Sequence, residues 1–247
     1  MILSHSKKFV FFRNAKSGST TAQVMLRMFG GFDPAVDMLS GTREWSLPPI
    51  NIPGSIEGRT YAGPTIAREG RMNWHHATPQ QLIDRGVITL EQLREYDCWA
   101  YVRDVRYRFI SGCIHMSRSD RGPMWKYGVN PEMFLKRFKD KERLFSPTEI
   151  IGRSQRDWFF VGDEQVVKPV VFDNYENELR FLIDRVGGFR PPEIPKLNTA
   201  PHHTRQHIEK WKAWYAEAWE HPEISSAILE QYAEDEAFYQ QAIADRA

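Results

Sequence analysis

The sequence predicts an α/β fold built on a central, mostly parallel sheet flanked by helices, and three observations carry that reading. Three short apolar runs, 9–12, 98–102 and 166–173, have the length and the β-branched or aromatic content of buried strands. Each gives way to helical spacing: Ala22 to Phe29 after the first, a stripe of Tyr107, Ile110 and Ile114 after the second, Tyr175 to Val186 after the third. Strand and helix in alternation is the pattern of a sheet covered on its faces by helices.

A chain of 247 residues is long enough for one such domain with a full core, so it reads as a single domain over 1–247. Its 41% hydrophobic and 26% charged residues are ordinary for a soluble globular protein. The net charge of +1 gives no general attraction to nucleic acid or to a membrane. Cys98 and Cys113 sit beside apolar residues in predicted core elements, and read as buried, reduced thiols in preference to a disulfide or a metal site. There is no charged-then-apolar leader and no apolar run long enough to span a bilayer, so the expected location is cytoplasmic.

In chain order, the strand Phe9-Val10-Phe11-Phe12 leads into a turn carrying Lys16, Gly18 and four hydroxyls, those of Ser17, Ser19, Thr20 and Thr21. Strand, small-residue turn and helix make an anion cradle: turn amides and the helix N-terminus point at the anion, the lysine adds charge, and the hydroxyls donate. Gly30 and Gly31 end the helix. From Phe32 to Asn73 the chain is rich in Pro, Gly, Ser and Arg, a length of loop that serves either as a binding loop or lid, or as a surface insertion. Thr78 and Pro79 start a short helix that Gly86 closes, and Thr89 with Gln92 forms a capping box for another running to about Glu95.

Arg103 follows the second strand at its carboxyl end, and Ser111 lies about two turns into the next helix. The cradle and Arg103 thus share the sheet edge at which ligands gather in open α/β sheets. A helix is predicted from Pro131 to about Leu144, then an aromatic cluster from Gln155 to Phe160, and Pro169 puts the third strand at an edge or bulge. Gly187 and Gly188 cap the Tyr175 helix, and a proline-rich link leads to a helical C-terminal part over 205–245, read as two helices, Arg205 to about Trp219 and about Pro222 to Ala242.

The cradle does not fit a nucleoside triphosphatase. That loop needs Gly-x-x-x-x-Gly-Lys-Ser/Thr, whereas here Lys16 precedes Gly18, no earlier glycine opens the turn, and no Asp-terminated strand is placed for magnesium. What the residues resemble is the family of sulfotransferases that use 3′-phosphoadenosine 5′-phosphosulfate (PAPS), in its carbohydrate-type and bacterial branch. There a strand runs into Pro-Lys-x-Gly-Ser/Thr-Ser/Thr and then a helix; here Ala15 replaces the proline, and Lys16, Gly18, Ser19 and Thr20 match. The second family signature, Val-Arg-(Asp/Asn/His)-Pro-x-x-Arg-x-x-Ser, is matched from Val102 to Ser111 with Val105 in place of proline. Phe172 to Asn177 is similar to the family's Arg-Phe-Glu-Asn/Thr-Leu-Glu segment, and Ile194 to Thr199 to its Leu-Pro-x-x-Asn-x-Ser stretch.

The resemblance implies a P-loop-like three-layer fold and in-line sulfuryl transfer from PAPS to a hydroxyl-bearing acceptor, such as a glycan or a small molecule, with adenosine 3′,5′-bisphosphate as product. Positioning and charge stabilisation dominate such a reaction, and it requires no metal. Lys16 would neutralise charge growing on the bridging oxygen. Amides from Ser17 to Thr21 and the hydroxyls of Ser19, Thr20 and Thr21 would hold the 5′-phosphosulfate, and Arg103 with Ser111 the 3′-phosphate.

The family supplies a base between its two phosphate motifs; His76 fits that place best, with His75 and Glu69 as alternatives. His202 and His203 fall where related enzymes bring a late loop over the nucleotide, and read equally as cover or as ordinary surface. Trp211, Trp214, Tyr215 and Trp219 read as helix packing, while Trp45, Tyr61 and Trp74 are the candidates for stacking on an acceptor. Because both motif prolines are replaced, the alternative is a nucleotide-binding module without catalysis; a P-loop kinase of small molecules is more distant. The acceptor's determinants are expected in Phe32 to Asn73 and Arg118 to Asn130, and neither acceptor identity nor oligomeric state is coded legibly.

Overall fold

Four consecutive apolar side chains with no polar face must be covered from both sides, and Phe9–Phe12 is buried at every position as strand β2. The computed structural model describes residues 1–33, 37–39, 76–117, 152–191, 194 and 202–246, with backbone alone for 38–39, 115–117, 202–208, 210 and 211. Where the sequence reads as one continuous domain, the described residues gather into two compact units: Met1–Val102 with Gln155–Asn198, and Arg103–Ser154 with Thr199–Ala247. The irregular stretch 40–75 with Trp45, Tyr61, Glu69, Trp74 and His75, the loop 118–130, the helix predicted over 131–144 and the stretch 195–199 lie outside the described residues.

The first unit is α/β. Strand β1 (Ile2–Ser4) returns through a tight turn into β2, antiparallel, with Ile2 opposite Phe11. Strand β3 (Met38–Leu39) pairs antiparallel with the other side of β1. Strand β4 (Asp97–Val102) lies parallel to β2, Val10 opposite Cys98. A two-residue hairpin of β5 (Phe160–Val161) and β6 (Glu164–Gln165) precedes β7 (Lys168–Val171), which runs parallel to β4 with Pro169 opposite Ala100. The order is β3-β1-β2-β4-β7, so the sheet is mixed and not mostly parallel in its pairing. Strand β1 escaped the sequence because three residues show no periodicity; only the hairpin return buries them. Pro169 falls on the edge strand, where a missing N–H costs no ladder bond.

Two helices cover this sheet with the same spacing. Helix α1 (Ser19–Phe29) buries Ala22, Met25, Leu26 and Phe29. The helix following β7 buries Leu179, Leu182, Ile183 and Val186 in one cluster with them. Each of the larger side chains contributes roughly 1.5–3 kcal/mol by leaving water. Between β3 and β4, α2 (Pro79–Asp84) and α3 (Leu90–Glu95) start on the predicted caps. Thr89 and Gln92 exchange backbone-to-side-chain bonds of 2.8 and 3.1 Å, and Thr78 and Gln81 do so at 3.1 and 3.3 Å, a second capping box.

The second unit is helical: α4 (Val105–Ser117), then, after α5 (Tyr175–Arg185) of the first unit, α6 (His202–Trp219), α7 (Pro222–Gln231) and α8 (Ala233–Ala244). Its core joins Val105, Phe109, Ile110 and Cys113 to Tyr215, Ala218, Ile224 and Ile228, with Trp214 and Trp219 at the margin in the packing role predicted for them. The last predicted helix is divided at Tyr232, whose hydroxyl donates to the Gly152 carbonyl at 3.3 Å. Arg108, the second arginine of the matched signature, is buried; it pairs with buried Asp235 at 3.4 Å and donates to the Arg153 carbonyl at 2.6 Å. Such a pair fixes how α8 registers on α4 more than it adds stability.

Cys98 and Cys113 are both buried free thiols. Burial, with the Asp97 charge added, pushes Cys98 up to about 12, and burial pushes Cys113 up as well. No described helix is long and apolar enough to cross a membrane.

Candidate functional site

Strand β2 ends at Phe12 and α1 begins at Ser19, so residues 13–18 must turn the chain at the carboxyl edge of the sheet. Two of them do so in the left-handed region, Lys16 at φ +63° and Gly18 at φ +77°. Gly18 is required twice over, for its φ and because a Cβ there would lie 2.0 Å from the Phe172 ring. Lys16 carries a side chain in a conformation that costs about 1–2 kcal/mol, a strain the surrounding bonds must hold.

Those bonds centre on Asn14. Its carbonyl accepts from the Ser17 hydroxyl at 2.8 Å and the Ser19 hydroxyl at 2.9 Å, while its buried side chain donates to the Tyr101 carbonyl and to Gln155 Oε1, each at 3.2 Å. Two of the hydroxyls are therefore directed into the turn, and the Ser19 proton goes to Asn14, not outward as its expected role required. Thr20 Oγ1 accepts from the Arg13 guanidinium. Thr21 is buried at the same end of α1, and burial pushes the Tyr175 phenol well up. Phe172 and Tyr175 thus close on the cradle from the end of β7, which the family-like stretch Phe172 to Asn177 signalled without showing the contact.

The charge balance of the cradle is one-sided. Arg13 also donates to Gln23 Oε1 at 3.1 Å, so both described partners of its guanidinium are neutral, and burial draws its pKa down to about 10. The first turn of α1 contains no acidic residue, and Lys16 is half-buried beside it. Helix N-terminus, lysine and arginine together suit an anion.

His76 stands at the start of the cradle. Its Nδ1 lies 2.8 Å from the Arg13 carbonyl, which can only accept, so Nδ1 carries a proton. Arg103 is the residue after β4, a strand parallel to β2. Its guanidinium lies over the Tyr107 ring at 5.9 Å, and Asp104 caps α4 by accepting from the Tyr107 amide at 3.0 Å. Ser111 is half-buried on α4. His202 and His203 open α6 and are helical, not part of the loop expected there.

At the amino end of β4 and β7 lies a cleft of about 450 Å³ lined by 93–97, 164–168 and Arg185. Its charges are matched internally: Asp97 to Lys168 and Arg185, each at 2.8 Å, and Arg94 to Glu164 at 2.7 Å. The chemistry-bearing residues lie at the opposite edge, in the cradle.

Comparison with family models, with curated proteins and with solved structures found no match to this chain.

Proposed function

We propose that the chain is a PAPS-dependent sulfotransferase on a P-loop-like three-layer fold, acting on a hydroxyl of a carbohydrate or small molecule. The observation that carries this reading is the Lys16-x-Gly18 turn at the carboxyl end of β2, cationic and without an acidic residue, with His76 bonded to its first carbonyl. PAPS, when bound, supplies an activated sulfuryl group. The cradle amides and the Thr20 hydroxyl hold its 5′ side, and Arg103 and Ser111 hold the 3′-phosphate. Lys16 neutralises charge at the bridging oxygen, and His76 Nε2 takes the proton of the acceptor hydroxyl. Arg13 fixes that imidazole through its carbonyl, holding the basic nitrogen in the required tautomer.

The experiment is transfer of labelled sulfate from PAPS onto a panel of glycans, lipids, tyrosyl peptides and phenols. Lys16→Ala is expected to abolish transfer, Arg103→Ala to weaken binding of adenosine 3′,5′-bisphosphate, and His76→Ala to spare binding while removing turnover. Full activity in the Lys16 variant would sink the mechanism. A nucleotide-binding module without catalysis is the second reading, favoured by Ala15 and Val105 at the two motif prolines. Tight bisphosphate binding with no transfer to any acceptor would select it.

A further inference from the structure

We infer that Arg13 is a positioning residue of the cradle: it orients the Thr20 hydroxyl so that its proton is presented to a phosphate or sulfate oxygen of the bound anion. The inference rests on the reading of the cradle as a PAPS site and adds a residue that no motif assigns.

Three observations lead to it. The Arg13 guanidinium bonds to Gln23 and Thr20, both neutral, and among the described residues no carboxylate pairs with it. Arg13 is half-buried, and a guanidinium drawn this far out of water ordinarily has an anionic partner. Arg13 Nε is also buried without a partner, an orphan that needs an explanation. A dianionic ligand in the adjoining cradle supplies the missing charge.

The second observation is the hydroxyl inventory. Ser17 and Ser19 direct their protons to the Asn14 carbonyl, and Thr21 is buried. Thr20 is different: its oxygen accepts from Arg13, so its own O–H must point elsewhere, and no described acceptor takes it. The third is the nature of the donor. A hydroxyl that accepts from a cation is polarised and donates more strongly. Arg13 therefore acts through Thr20, and Thr20 makes the contact.

The test is a double-variant cycle by calorimetry, with adenosine 3′,5′-bisphosphate as one probe and inorganic pyrophosphate as the other, and melting curves to establish that each variant is folded. Arg13→Gln and Thr20→Val are each expected to weaken binding of both probes about tenfold, and the double variant also about tenfold, because the two residues act as one unit. Thr20→Ser, which keeps the hydroxyl, is expected to bind as the parent does. Unchanged affinity in Arg13→Gln overturns the inference, as does a double variant weakened about a hundredfold, the additive result. If pyrophosphate follows the coupled pattern while the bisphosphate gains nothing over it, the pair stands and the PAPS reading falls. A protein that binds neither probe overturns both.

Discussion

Gly18→Ala adds one methyl group at a point where two separate costs meet. The backbone there sits at φ +77°, which for an alanine costs about 1–2 kcal/mol. The new Cβ would lie 2.0 Å from Phe172 Cε2 and 2.7 Å from Cζ, far inside contact distance. Phe172 cannot simply swing away, because its ring lies edge-on to Tyr101 at 5.9 Å and packs on Tyr175 at 5.3 Å. Overpacking of this kind costs about 1–3 kcal/mol, so the sum is about 2–5 kcal/mol. At about 2–4 °C per kcal/mol the melting temperature should fall by roughly 4–20 °C. Circular dichroism melts of Gly18→Ala, Phe172→Leu and the double variant separate the two costs. The double variant should recover the steric share, a coupling of about 1–3 kcal/mol, and keep the backbone share. A single variant melting within about 2 °C of the parent, or a strictly additive cycle, would refute the account of how Phe172 closes on the turn.

Lys16→Gly relieves a left-handed side-chain-bearing residue, so urea denaturation should show a gain of about 0.5–1 kcal/mol, while the proposed sulfuryl transfer should be lost. Burial raises the Asp97 carboxyl, but hydrogen bonds from Lys168 and Arg185 and the Lys168 charge outweigh it, leaving its pKa below the usual value. Its stabilisation is therefore complete above the unfolded-state pKa, near 4, and lost as pH falls through the lower folded value. Asp97→Asn should cost about 1 kcal/mol at pH 7, since both cations are half-exposed, and the two unfolding curves should converge near pH 2. Iodoacetamide at pH 8 should label neither Cys98 nor Cys113 until urea is added, because both thiols are buried and held protonated.

Local chemistry was enough to read the strands 9–12 and 98–102, the caps at Thr78 and Thr89 and the helix after β7, because each is decided within a few residues, while Pro169 left edge or bulge open until the sheet order put it on an edge. Residue type and spacing also picked out Lys16, Gly18 and Thr20 as an anion-binding pattern, whereas His76 was picked out through the family resemblance. The antiparallel β1, the break at Tyr232 and the helical setting of His202 and His203 were not legible, since each depends on partners remote in the chain. The hydroxyls are bonded to near neighbours, but the Asn14 that directs two of them is anchored from afar. Asn14 reaches Gln155 across 141 positions, and Phe172 lies on Gly18 across 154, so no spacing in the chain announces either contact. Which residues can bind an anion follows from side-chain chemistry. Which of their protons face outward follows from the bonds already made inside the turn, and the Asn14 that accepts two of them is itself held by Tyr101 and Gln155, which only the folded chain brings to it.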